Sequence, residues 1–130
     1  MRSAALLTAC LAFGVSGATG LGNDNGGDAT RGAEVYARCQ ACHALRYNRT
    51  GPKDCGVVGR KAGSVPNFDY SPAMRRSKLA WDEQTLDRFL ADSMTTVPGT
   101  SMTYAGVSDP QDRADLIAYL RDAGGSKLCK

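Results

Sequence analysis

The sequence predicts an all-α domain: three to five helices joined by long loops that wrap one bound group. Three observations lead there. No stretch alternates apolar and polar residues for the length of a useful strand. Several segments instead combine helical spacing with helix-starting residues at their heads. The loops between them are longer than a small domain keeps in place unaided, and Cys39-Gln40-Ala41-Cys42-His43 offers the means of holding an organiser inside.

The N-terminus is set apart first. Arg2 supplies a short positive region, Ala4 to Val15 form an apolar run, and Ser16-Gly17-Ala18-Thr19-Gly20 are small. This is the layout of a secretory signal peptide, with cleavage expected near Ala18 to Gly20. The apolar run is shorter than the roughly 20 residues of a membrane span. Leu7-Thr8-Ala9-Cys10 also resembles a lipobox, although Cys10 lies early and apolar residues continue behind it. The expected organisation is a signal peptide over 1–20, a Gly/Asn/Asp-rich linker over 21–27 and the domain over 28–130.

The first helix starts at Asp28 or Thr30, both competent N-caps, and runs to about Cys39 with Ala33, Val35 and Tyr36 on its apolar side. From Ala44 to Phe68 recurring Gly, Pro and Asn break any period, so this is loop. Ser71-Pro72 reads as an N-cap followed by Pro at the first helical position, opening a short helix to about Ser77. Asp82 caps the next, with Leu86, Phe89 and Leu90 at i, i+3 and i+4. Thr95 to Val107 reads as loop again. The last helix is the clearest: Ser108 and Gln111 suggest a capping box with Pro110 in the first turn, Leu116, Ile117, Tyr119 and Leu120 make the apolar face, and Gly124-Gly125 ends it.

The chemistry sits in C-x-x-C-H. Thiols at i and i+3 on one helical turn reach two vinyl groups along one side of a porphyrin, and the next residue offers its imidazole to the iron. A redox C-x-x-C asks for a βαβ setting, which is absent, and zinc asks for four ligands. Cys55 and Cys129 stand alone and far apart, so haem is the expectation. His43 is the only histidine. A second iron ligand must therefore be another side chain, a water or nothing. A thioether is the soft option, and Met74, Met94 and Met102 are all candidates on the residues alone.

The composition excludes little else. A formal charge of +3 in 130 residues, without a dense Lys/Arg stripe, gives no case for nucleic acid.

Several motifs in order give a resemblance: Gly32 and Tyr36 before the attachment turn, Gly51-Pro52, Gly59-Arg60 and Gly63, Phe68-Asp69-Tyr70-Ser71, Trp81, Pro98-Gly99-Thr100-Ser101-Met102, and Arg113 to Leu120. Together they resemble a class I c-type cytochrome, near bacterial cytochrome c2 and mitochondrial cytochrome c, over roughly Asp28 to Ala123. The resemblance implies the cytochrome c fold and one covalent haem c held through Cys39 and Cys42. It implies His43 and Met102 as iron ligands and the Pro52 carbonyl as acceptor of the His43 ring N–H. Arg60, Tyr70 and Trp81 match donors to the haem propionates, and Gly32 and Tyr119 match a crossing of the terminal helices. Such a chain is a soluble periplasmic monomer and no enzyme. It carries one electron at a time between membrane or periplasmic redox proteins. A haem with an open site, serving peroxide chemistry or sensing, is the alternative should Met102 not ligate.

Three positions depart from the family's pattern. Phe89 stands where many relatives have a Tyr, Met74 replaces a common Asn, and Asp54 stands where an apolar pocket residue is usual. Cys55 and Cys129 are additional. In an exported chain a disulfide between them is expected, with a free thiol or an intermolecular bridge as alternatives. Ser101 and Thr103 beside Met102 are neutral, and only Arg38 and Lys53 are candidates for a basic docking rim. Arg75, Arg76 and Lys78 read as a solvated face. A weakly basic docking surface is therefore expected.

Overall fold

The computed structural model describes residues 26–130. The expected signal peptide, Cys10 and all but the end of the expected linker lie outside the described residues. Five α-helices are present among the described residues: α1 (Ala29–Tyr36), α2 (Pro72–Arg76), α3 (Glu83–Ala91), α4 (Ser93–Thr96) and α5 (Pro110–Gly125). A 3₁₀ turn, Ala37–Cys39, continues α1, and another, Lys127–Cys129, follows α5. None of these helices is long and apolar enough to cross a membrane.

The helices begin where side chains can satisfy their free N–H groups. Asp28 accepts from the N–H groups of Thr30 and Arg31, Ser71 from Met74, and Asp82 from Thr85. Two details differ from the sequence expectation. The cap of α5 is Asp109, which accepts from Gln111 and Asp112, not Ser108. With Pro110 occupying the first helical position, the residue just before it is the one whose side chain reaches those donors. The expected loop from Thr95 begins later, because Asp92 ends α3 and caps the short α4. Four residues are too few to show a helical period.

α1 and α5 cross at close range. A Cβ on Gly32 would overlap the Asp115 carbonyl, so only glycine lets these backbones approach. Beside the crossing the Tyr36 and Tyr119 rings lie 5.2 Å apart. α3 packs its buried Leu86, Phe89 and Leu90 into the same core as Leu116, Ile117 and Leu120 of α5. The only β feature among the described residues is the Lys61–Ala80 antiparallel bridge. Its neighbours Gly59 N–H to Trp81 C=O and Trp81 N–H to Arg60 C=O, both 2.8 Å, clip the long loop to the start of α3. That clip brings Trp81 beside Arg60. At the far end Cys55 and Cys129 are joined, their Cα atoms 5.4 Å apart, so the C-terminal turn is tied to the glycine-rich loop.

Candidate functional site

The site starts at the end of α1. Its helical path tightens into the 3₁₀ turn, and the His43 and Cys42 N–H groups both bond back to the Cys39 carbonyl, at 2.9 and 3.1 Å. This turn sets Cys39, Cys42 and His43 on the wall of one cavity of about 410 Å³. That volume falls within the usual range of cofactor sites. Both thiols are free. Burial, and then the neighbouring Asp54, push the Cys39 thiol up to about 11.

His43 is fixed from two directions. Gly51 lies against the ring so closely that a Cβ there would overlap it. Nδ1 lies 2.9 Å from the Pro52 carbonyl. A carbonyl only accepts, so Nδ1 carries the proton and Nε2 keeps its lone pair for a ligand. Asp54 Oδ1 also lies 3.1 Å from Nδ1, and Tyr36 donates to the other Asp54 oxygen at 3.0 Å. Burial pulls the His43 pKa down, but Asp54 and the Pro52 carbonyl outweigh it and the net shift is upward. Burial and Asp54 together raise the Tyr36 phenol well above its ordinary range.

The C-terminal half lines the same cavity through Thr100 to Tyr104. Met102 follows the Pro98-Gly99 turn, in which Gly99 takes φ +88°. The Met102 carbonyl accepts from the Ser93 hydroxyl at 2.7 Å, and its N–H donates to the Thr100 side chain at 3.3 Å. α4 therefore anchors the loop that carries Met102. Of the other methionines, Met74 is buried and lines the cavity, whereas Met94 is exposed and does not.

Arg60, Tyr70 and Trp81 stand on the cavity wall as well. Arg60 donates from its two terminal nitrogens to the Cys55 and Lys53 carbonyls, each at 3.0 Å. Its Nε is buried and has no partner. Burial lowers the Arg60 pKa. A guanidinium on an otherwise apolar wall suits an anionic group on whatever fills the space. Tyr70 accepts from the Val65 N–H at 3.3 Å, and Trp81 packs against Phe89 with ring centroids 4.8 Å apart.

The eight residues that the resemblance assigns to the bound group thus converge on one cavity: Cys39, Cys42, His43, Pro52, Arg60, Tyr70, Trp81 and Met102. Haem fits this set. Two thiols and an oriented imidazole would meet its vinyl edge and iron, a thioether stands on the same cavity, and the Arg60 guanidinium on the wall would suit a propionate. Two things were not legible in the sequence. Asp54 was visible only as a departure, and its contact with His43 depends on the fold. Its pairing with Tyr36 carried no signal, because Tyr36 reads as an apolar position of α1.

Comparison with known proteins agrees. The family model for cytochrome c matches residues 29–124. The chain is 46% identical over 102 residues to cytochrome c2 of Rhodomicrobium vannielii, covering 76% of this chain and 82% of that protein. It is 39% identical over 107 residues to cytochrome c2 of Agrobacterium tumefaciens, covering 78% and 96%. Among solved structures, cytochrome cH from Methylobacterium extorquens superposes with a TM-score of 0.73 at 44% identity, covering 74% of this chain and 99% of that one. A cavity faced by two thiols and one imidazole, on this fold and with these relatives, leads to one conclusion: the chain belongs to the cytochrome c family and is an electron carrier with one covalently attached haem c, not an enzyme.

Proposed function

We propose that this chain is a periplasmic one-electron carrier whose haem iron is six-coordinate, ligated by His43 and Met102. The observation that carries the reading is the placement of these two residues on one cavity, each delivered by a loop pinned through hydrogen bonds. The haem supplies an iron that changes its charge by one electron. The protein's part would be to hold the His43 imidazole and the Met102 thioether against that iron, leaving no open position for substrate. Cys39 and Cys42 tether the group, while Arg60, Tyr70 and Trp81 receive its propionates. The export expected from the N-terminal sequence fits the joined Cys55 and Cys129, since exported chains keep disulfides.

The test is optical. The ferric holoprotein shows a low-spin spectrum with a methionine–iron charge-transfer band. Met102→Ala removes that band, and Met74→Ala keeps it. A high-spin spectrum in the wild type, or loss of the band only in Met74→Ala, overturns the ligand assignment.

The partners are membrane or periplasmic redox proteins that dock a monomer at a weakly basic face. Arg38 is paired with Asp112 at 3.1 Å and Arg75 with Asp69 at 3.1 Å. Ser101, Thr103 and Tyr104, on the side of the cavity next to Met102, are exposed and neutral.

A further inference from the structure

We infer that Asp54 is a positioning residue for the iron ligand: its carboxylate stands beside the His43 Nδ1–H that the Pro52 carbonyl accepts, and its charge makes the ring a stronger electron donor than the carbonyl alone would. The inference rests on the reading of His43 as a ligand and concerns what sets that ligand's strength.

The geometry is held from several sides. The Pro52 oxygen is 2.9 Å from Nδ1 and accepts its proton, and Asp54 Oδ1 stands beside that bond, 3.1 Å from Nδ1. The Tyr36 hydroxyl holds the far oxygen of Asp54 at 3.0 Å. The backbone around Asp54 is tied down as well, Asp54 N–H to Ala44 C=O at 3.1 Å and Cys55 N–H to Leu45 C=O at 2.8 Å. The carboxylate is only 13% exposed. Taking a carboxylate out of water is unfavourable unless donors or positive charge meet it, and here the Tyr36 hydroxyl donates to it and the His43 ring lies against it. Among the described residues no other side chain bonds this carboxylate.

The consequence follows from charge. A negative charge 3.1 Å from a ring nitrogen favours positive charge on the ring. A ligating imidazole with such a neighbour behind its other N–H is more basic. A more basic ligand with a negative neighbour favours the more positive, oxidised iron, so the reduction potential falls. Second-shell hydrogen bonding is one of the levers by which a protein sets a haem potential.

The experiment compares haem-loaded wild type with Asp54→Asn, which keeps the shape and removes the charge. At a fixed ambient potential the ferrous-to-ferric ratio of the variant is expected to rise by about tenfold, equal to about 59 mV for a one-electron couple. In the ferrous protein labelled with ¹⁵N-histidine, the Nδ1 proton is expected to move upfield from its wild-type position. Asp54→Leu is the second variant, because an apolar residue is the family's usual choice there, and it shifts both readouts in the same direction. Wild-type potential and Nδ1 resonance in these variants, even with lowered thermal stability, would reduce Asp54 to a structural partner of Tyr36 and overturn the inference. The wild-type spectrum separates the two readings: absence of His43 ligation there defeats the ligand assignment as well, whereas a normal spectrum with an unmoved potential defeats this inference alone.

Discussion

Asp115 is fully buried at the crossing of α1 and α5, yet it carries a charge. Its Oδ1 accepts from the Asp28 N–H at 2.7 Å and from the Gln111 amide at 2.8 Å, and Arg31 approaches its Oδ2 at 3.2 Å. Burial pushes its pKa up, but these hydrogen bonds and the Arg31 charge more than offset this, and the carboxyl lies below its ordinary value. A depressed folded-state pKa contributes stability at pH values above the unfolded pKa, near 4, and that contribution is lost as pH falls through the folded value. Asp115→Ala leaves the Asp28 and Gln111 donors without an acceptor and is expected to cost about 1–3 kcal/mol at neutral pH. Urea melts from pH 7 downwards check both points: the gap from wild type stays constant to about pH 4 and narrows below it. A gap that widens in acid contradicts the assignment. In the sequence Asp115 is one acid among many on a helix, and only the packing of the chain's two ends makes it a buried anchor.

At the scale of elements, helix starts were largely legible because a cap acts over two or three residues. Ser71 and Asp82 accept as their position and chemistry predict, and of the two candidates Asp28 and Thr30 it is Asp28 that caps α1. The α5 cap was misread by one residue. Ser108 and Asp109 are both competent, and the choice follows from Pro110 standing at the first helical position. Asp109→Ala is therefore expected to destabilise the protein by about 1 kcal/mol, with Ser108→Ala close to neutral. Chemical denaturation of the two variants decides it, and the reverse order would restore the capping-box reading. The loop before α5 has a second anchor in Arg113, which donates to the Val107 and Ser108 carbonyls at 2.9 and 3.0 Å and to Asp87 of α3 at 2.7 Å. That link joins α3, the Met102 loop's exit and α5, and no local pattern announces it.

For the whole molecule, the tie between Cys55 and Cys129 closes a loop across a sequence separation of 74 residues. Loop-closure entropy makes such a crosslink worth about 4 kcal/mol. Oxidised protein is expected to show no free thiol beyond those consumed by haem, and reduction is expected to lower the melting temperature without altering the haem spectrum. Two reactive thiols in the untreated holoprotein contradict the crosslink. The electrostatic prediction also belongs to this scale. With the basic side chains near the site few and partly paired, electron transfer to partners is expected to fall only shallowly as ionic strength rises. A steep fall in stopped-flow rates would show a basic steering surface instead.

The sequence by itself determined the attachment turn, the single imidazole, the starts of α2 and α3 and the class of bound group. Those signals are local: Cys39, Cys42 and His43 share one turn, and caps sit beside the groups they satisfy. It also marked Arg60, Tyr70, Trp81 and Met102 as candidates through their order along a resembling chain. The tertiary structure decided which groups meet. It set Asp54 and Pro52 on the same His43 nitrogen, brought the Arg60 side chain to the cavity wall with its Nε buried and unpartnered, and closed Cys55 on Cys129. Each depends on the path of a glycine-rich loop with no periodicity, so the direction of its side chains follows from what they pack against and not from their spacing.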